Sequence, residues 1–284
     1  MRNDPEVQRA CEMYQLGLPR SPVAGRSGEL LGSSTGSSLE FQEYREYLPG
    51  DDIRHLDWAA YARSDQLMVR LYREEVSPRV EILLDTSRSM ATGRLKQKVA
   101  RQLATLFALL AGALGSRASV FVVGDERPAR ALPDNEPDSL TDIPFEAKAT
   151  LADLLADGSL ALRRRSVRIV ISDLLFPHSP ESVSRRLADG ASTLWVLQLL
   201  TAWESAPTPE GARHLVDVET GESADLLINE ATIAVYKQRL RRLQDEWSRH
   251  CRRLHATFVT LVADHGLDAL CRGPLGQAGV LVAG

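Results

Sequence analysis

The chain has 284 residues, 44% of them hydrophobic and 25% charged, with a formal net charge of −4. That mixture belongs to a globular protein and is enough for one large α/β domain with an extension; disorder and a generally basic, nucleic-acid-binding surface are excluded. Three scattered cysteines, Cys11, Cys251 and Cys271, give neither a disulfide framework nor a zinc site and point to reduced thiols.

Residues 4–18 read as a short amphipathic helix, with Asp4 as its N-cap, Pro5 in the first turn and Gly17 as its stop. The N-terminus has no apolar core of a secretory signal, and no apolar run reaches membrane-spanning length. A cytoplasmic location without a transmembrane segment is therefore expected. Ser21 to Ser38 is Gly/Ser-rich and has loop composition. Leu39 to Trp58 is dense in charge and aromatic residues, and residues 66–76 alternate apolar and polar as a half-exposed strand does. Nearly continuous apolar runs follow at residues 80–84, 119–123, 167–171, 193–200 and 257–262. Helix-length segments separate them at 95–114, 150–162, 180–189 and 230–254. This pattern predicts a mainly parallel sheet with helices on both faces, an α/β domain over residues 77–284. Residues 1–76 form a preceding extension of helix, loop and charged segment.

In an open parallel sheet, ligands sit beyond the C-terminal ends of strands, where the strand order reverses. The run ending at Leu84 is followed by Asp85, Ser87 and Ser89, and the run ending at Ile171 by Ser172 and Asp173. An aspartate and two hydroxyls at alternate positions can turn three hard oxygens to one point, which suits Mg²⁺, Mn²⁺ or Ca²⁺ rather than zinc. The structural alternative is that Ser87 and Ser89 cap the helix opening near Gly93 and Asp85 caps the strand-to-helix turn.

Ile82 to Met90 resembles the metal-ion-dependent adhesion site of von Willebrand factor A domains, whose pattern is Asp-x-Ser-x-Ser, a threonine on a second loop and an aspartate on a third. Asp85, Ser87 and Ser89 match the first part, Thr150 is the threonine and Asp173 the last aspartate. The glycine that usually precedes the threonine is absent, and Leu174 replaces the glycine that often follows the aspartate. The resemblance implies a Rossmann-like fold without a phosphate-binding glycine fingerprint.

A longer stretch, Phe41 to Trp58, is similar to the signature of a bacterial family, domain of unknown function 58. Ala62-Arg63, Leu67 to Arg70 and Val216 to Glu222 also fit. That resemblance implies a von Willebrand A-like domain preceded by a charged region, and a chaperone-like or maturation role beside MoxR-type AAA+ ATPases.

Within the charged segment, Arg45, Asp51, Asp52, Arg54, Asp57 and Trp58 have two readings. Arginine and tryptophan are strong interface anchors. Equally, Asp51, Asp52 and Asp57 can pair with Arg45, Arg54, Arg63 and Arg70 in a structural network. The basic helix over residues 236–255 carries an apolar stripe of Leu240, Leu243, Trp247 and Leu254, so its charges read as a solvated outer face. No catalytic residue is assigned: there is no Gly-x-Ser-x-Gly elbow and no phosphate-binding Gly-Lys-Ser/Thr loop. The expected function is a non-enzymatic, metal-dependent protein-interaction module that takes an acidic side chain of a protein partner through the ion, with no nucleic-acid role. The alternative is a metal-assisted hydrolase or phosphotransfer enzyme using the Asp85 loop.

Overall fold

The computed structural model describes residues 1–18, 39–49, 51–74, 79–116, 118–127, 129–132, 140–217 and 221–284. The expected Gly/Ser-rich loop at Ser21 to Ser38, Gly50 and residues 218–220 of the family signature lie outside them. The helices are α1 (Pro5–Met13), α2 (Trp58–Ser64), α3 (Arg94–Ala113), α4 (Leu151–Asp157), α5 (Pro180–Ala188), α6 (Ala202–Ser205), α7 (Glu230–Arg253) and α8 (Leu267–Leu270). The first six strands are β1 (Tyr14–Leu16), β2 (Leu39–Glu46), β3 (Met68–Glu74), β4 (Val80–Asp85), β5 (Ala118–Val123) and β6 (Arg130–Leu132). Six more are β7 (Ser166–Ser172), β8 (Ala191–Leu200), β9 (Gly211–Val216), β10 (Ser223–Ile228), β11 (Thr257–Val262) and β12 (Leu281–Ala283).

Two compact units divide the chain: Met1–Leu18 with Pro78–Gly284, and Pro19–Ser77. The N-terminal helix thus groups with the sheet and not with the charged segment. In the larger unit the sheet order is β11-β8-β7-β4-β5-β6. Its first five strands are parallel and β6 runs antiparallel to β5. The chain builds outward from β4 through β5, then returns to β4's other side with β7, so the order reverses at β4.

The period-two alternation of the strands divides the core. Val80, Ile82 and Leu84 pack with Val167, Ile169 and Ile171 under α1, α3 and α8. Leu83, Val170 and Val196 pack on the other face with Leu151, Leu154, Val183, Leu187 and Trp247 of α4, α5 and α7. Burying each such aliphatic side chain favours the fold by about 1.5–3 kcal/mol. Every residue of β4 and β7 is buried, which is why neither shows polar alternation in its apolar run.

α1 starts as expected, with the Asp4 carboxylate accepting from the Glu6 and Val7 amides. It stops at Met13, earlier than Gly17, because residues 14–16 form β1 and pair antiparallel with β12 near the C-terminus. Gly17 is therefore not a helix stop but a close-approach position: a Cβ there would lie 1.9 Å from the Gly279 carbonyl oxygen. α4 ends at Asp157, five residues before the predicted limit, because Gly158 after it takes a left-handed φ of +74°. The strands β9 and β10 form an exposed antiparallel hairpin. Cys251 and Cys271 are buried and Cys11 half-buried, all as free thiols. Burial pushes the Cys251 and Cys271 thiols up to about 12, so they stay protonated and inert. Among the described residues no helix is long and apolar enough to cross a membrane.

In the smaller unit, β2 and β3 pair antiparallel with an irregularity between Phe41 and Glu43. The Asp51 carboxylate closes the turn, accepting from the Leu48 amide at 2.8 Å and from Arg45 at 2.7 Å. Those bonds, the amide's first, hold its carboxyl below the usual range. Arg54 is bidentate on Asp52, and buried Asp57 caps α2 by accepting from the Ala59 and Ala60 amides. These contacts of Asp51, Asp52 and Asp57 are internal to the segment. The Arg70 side chain lies outside the described residues. Trp58 is 64% exposed and meets Tyr61 edge to face.

Candidate cation site at the sheet edge

The loops leaving β4 and β7 meet where the sheet order reverses. Asp85 is the last residue of β4 and Asp173 follows the last residue of β7, so the parallel register brings both carboxylates to one edge. Both are essentially without solvent exposure. One Asp85 oxygen accepts from the Ser87 amide at 2.9 Å, and the other accepts from the Ser172 hydroxyl at 2.5 Å. The Asp85 carboxylate thus does hold the strand-to-helix turn. Burial, and then the neighbouring Asp173 carboxylate, push its pKa up to about 6.

Ser87 opens the short turn Arg88–Ala91 but makes no side-chain cap, and Gly93, not a serine, precedes α3. The capping alternative therefore does not account for the Ser87 hydroxyl. It shares a hydrogen bond of 3.1 Å with that of Ser89. Adjacent ligands of an octahedral Mg²⁺, each about 2.1 Å from the ion, are about 3.0 Å apart, so the two hydroxyls are spaced as one edge of such a shell. Ser87 is buried and Ser89 half-buried.

Asp173 makes its own turn. Its Oδ1 accepts from the Leu175 amide at 3.0 Å, and the Leu174 amide donates to the Ser172 hydroxyl at 3.0 Å. Between them Leu174 holds a left-handed φ of +58°. The position that glycine often fills in the related motif thus has a glycine-like backbone here. A buried leucine adopts it at a cost of about 1–3 kcal/mol.

Thr150 lies beside the site but uses its hydroxyl elsewhere. The loop before it pairs with the Asp85 loop: Ala147 donates to the Thr86 carbonyl, and the Arg88 amide to the Ala147 carbonyl. Thr150 itself is the N-cap of α4 in a reciprocal capping box with Asp153, its hydroxyl donating to Asp153 at 2.8 Å. Asp125 braces the same loop by accepting from the Lys148 and Ala149 amides.

Two charged residues of the site were not among the expected ones. Lys96 of α3 is fully buried, and its ammonium donates to Asp173 Oδ2 at 2.9 Å and to the Glu204 carboxylate at 2.9 and 3.0 Å. It also reaches the Ser89 carbonyl at 3.0 Å. Glu204 comes from α6, directly after β8, locked in a capping box with Thr201 and accepting from Thr92 at 2.7 Å. Both signals were in the sequence. Lys96 stands on α3's apolar stripe, seven residues before Leu103, and Thr201-Ala202-Trp203-Glu204 is a capping-box pattern after a strand.

Among the described residues no three His, Cys, Asp or Glu side chains come together as a metal cluster. A cation here would have to use hydroxyl as well as carboxylate oxygens. Asp85, Ser87 and Ser89 fit a hard divalent ion; Asp173 stands beside them but already carries an ammonium.

The family described as "Protein of unknown function DUF58" matches residues 43–246. Uncharacterized protein Rv1480 of Mycobacterium tuberculosis and Uncharacterized protein Mb1516 of Mycobacterium bovis are each 27% identical to the chain over 189 residues. The match covers 62% of this chain and 59% of each relative, so it spans about three fifths of their length. Among solved structures, BatB from Bacteroides thetaiotaomicron is 16% identical, with 65% of this chain and 90% of that one covered and a TM-score of 0.37. An aerotolerance-related membrane protein from Bacteroides fragilis is 18% identical, with 71% and 98% covered and a TM-score of 0.39.

Proposed function

The chain belongs to the DUF58 family, and from that premise we propose that its sheet edge is a divalent-cation site, of the von Willebrand A kind, that docks an acidic side chain of a protein partner. Asp85, Ser87 and Ser89 would hold the ion, Mg²⁺ before Mn²⁺ or Ca²⁺, with Asp173 behind them. The bound ion supplies a positive charge with an open position that a carboxylate can fill. The observation that carries the reading is the meeting of the Ser87 and Ser89 hydroxyls at 3.1 Å in the loop that the buried Asp85 holds through the Ser87 amide. Thr150, tied to Asp153, is not counted among the direct ligands in this reading.

The protein's own part is electrostatic and geometric. Asp85 is held by Ser172 and by the Ser87 amide, so the loop needs little rearrangement to present its oxygens. Ser89, half-buried where Ser87 is buried, marks the side from which a partner's carboxylate would approach. The role is that of an interaction module without a reaction of its own. The family resemblance makes a MoxR-type AAA+ ATPase the partner to try first, with this chain as its adaptor.

Thermal melts of the full chain with Mn²⁺ or with EDTA test the cation. Stabilisation by Mn²⁺ that disappears in Asp85→Ala is expected; equal melts in all four conditions sink the reading. Capture of a purified MoxR-type ATPase by wild-type chain in Mg²⁺, lost in EDTA and in Ser87→Ala, is the expected partner result. Capture indifferent to EDTA would place the contact elsewhere.

A further inference from the structure

Lys96 has no role in that proposal, yet its charge sits inside the site. A lysine without exposed surface is rare unless paired, and this one is paired more than once. Its ammonium meets Ser89 of the β4 loop, Asp173 of the β7 loop and Glu204 of α6, directly after β8, and it reaches Thr92 Oγ1 at 3.3 Å. Glu204 is fixed in turn by the Thr201 amide at 2.7 Å, and its carbonyl accepts from the Tyr236 hydroxyl at 2.7 Å. One ammonium thus ties together the three strand ends that frame the site.

We propose that Lys96 is the resident cation of the site: it neutralises Asp173 and so sets both how tightly a divalent ion is held and whether the loaded site accepts a carboxylate. This rests on the reading of the Asp85 loop as a cation site. Asp85, Asp173 and Glu204 bring three carboxylates to one buried edge, and Lys96 brings one ammonium. Two negative charges remain when all are ionised, and one divalent ion cancels them. A partner's carboxylate then approaches a neutral site. Without the ammonium, the loaded site keeps a negative charge, grips the ion harder and repels the carboxylate.

A lysine that merely braces the loops predicts something different. Its loss would lower the melting temperature but leave the metal's contribution alone. The two accounts separate in Lys96→Met. Titration of Mn²⁺ into the full chain should show binding at least about tenfold tighter in Lys96→Met than in wild type, the low end of what one close charge does to a carboxylate equilibrium. The variant should melt lower than wild type in EDTA and gain more from Mn²⁺. Acetate added to the Mn²⁺-loaded chains should displace bound water, read as reduced water-proton relaxation, in wild type and much less in the variant.

Where Lys96→Met fails to fold without metal, Lys96→Gln keeps a polar end for Asp173 and Glu204 while removing the charge, and carries the same expectation of tighter Mn²⁺ binding. Wild type that binds Mn²⁺ no more weakly than these variants overturns the role of Lys96 and leaves the cation reading standing. Binding in the variants alone keeps Lys96 as the resident cation and overturns the cation reading for the native chain. Binding in none overturns both.

Discussion

Strands β4 and β7 carry buried charge at both of their ends, and the two ends are built differently. Where the strands begin, Glu81 meets Arg168 at 3.2 Å, and its oxygens also accept from the Ser166 hydroxyl at 2.6 Å and the Arg163 amide at 2.8 Å. The rest of the Arg168 guanidinium donates to the carbonyls of Leu187, Asp189 and Arg163. One acid faces one base, and their hydrogen-bonding capacity is largely used within the fold. Where the strands end, Asp173 and Glu204 share the ammonium of Lys96, and Asp85 stands beside Asp173. Burying an unbalanced charge is expensive. The balanced end is closed on itself, and the unbalanced end is where the proposed cation would sit.

The largest effect that could break this contrast belongs to the balanced end. Arg168→Met strands the Glu81 carboxylate and should cost about 3–5 kcal/mol in urea denaturation at neutral pH, to the same extent with and without Mn²⁺. A loss well under that range, or one that Mn²⁺ repairs, would show that the two ends are not different in kind.

Next in size is the ion's own contribution. With Mn²⁺ at about a hundred times its Kd, the cation should stabilise the wild type by about 2.7 kcal/mol. Asp85→Ala should lose all of that increment in the same denaturation series. If the Mn²⁺ increment survives Asp85→Ala, the ion sits elsewhere.

Thr150→Ala is smaller and sharper. The capping box with Asp153 accounts for its hydroxyl, so the variant should lose about 1 kcal/mol of stability. Its Mn²⁺ increment should equal that of wild type. A lost increment would restore Thr150 as a ligand.

Much of this edge was legible in the sequence because buried parallel strands write themselves as apolar runs, and the polar residues just after each run lie at one edge of the sheet. Asp85 and Asp173 were found that way. A lysine inside an apolar stripe looks like an interruption, which hides Lys96, although its buried place on α3 is itself the signal. Strands β1, β6 and β12 span three residues each, too few for any period to register. Pairing of β1 with the chain's far end depends on two backbones meeting at Gly17, a contact local pattern does not encode. Leu174 is the converse case. Its missing glycine looked like a departure from the motif, yet the backbone keeps the left-handed turn and accepts the strain.

The smallest effect concerns a buried polar contact that carries no net charge. The Trp247 indole donates to His178 Nε2 at 3.0 Å, which requires a neutral imidazole on that nitrogen. His178 Nδ1 lies 2.7 Å from the Phe176 carbonyl, so it is the nitrogen that carries the proton. Burial lowers the His178 pKa from its ordinary value. The sign follows: the unfolded chain takes up a proton at a higher pH than the folded one, so stability is full above about pH 6.5 and falls as acid is added. Trp247 fluorescence should report the change directly, since protonation of Nε2 ends the indole's hydrogen bond. In His178→Phe the slope between neutral pH and pH 5 should flatten, while the Mn²⁺ increment at neutral pH stays as in wild type. A His178→Phe chain with the wild-type slope would show that His178 is not the source of the acid sensitivity.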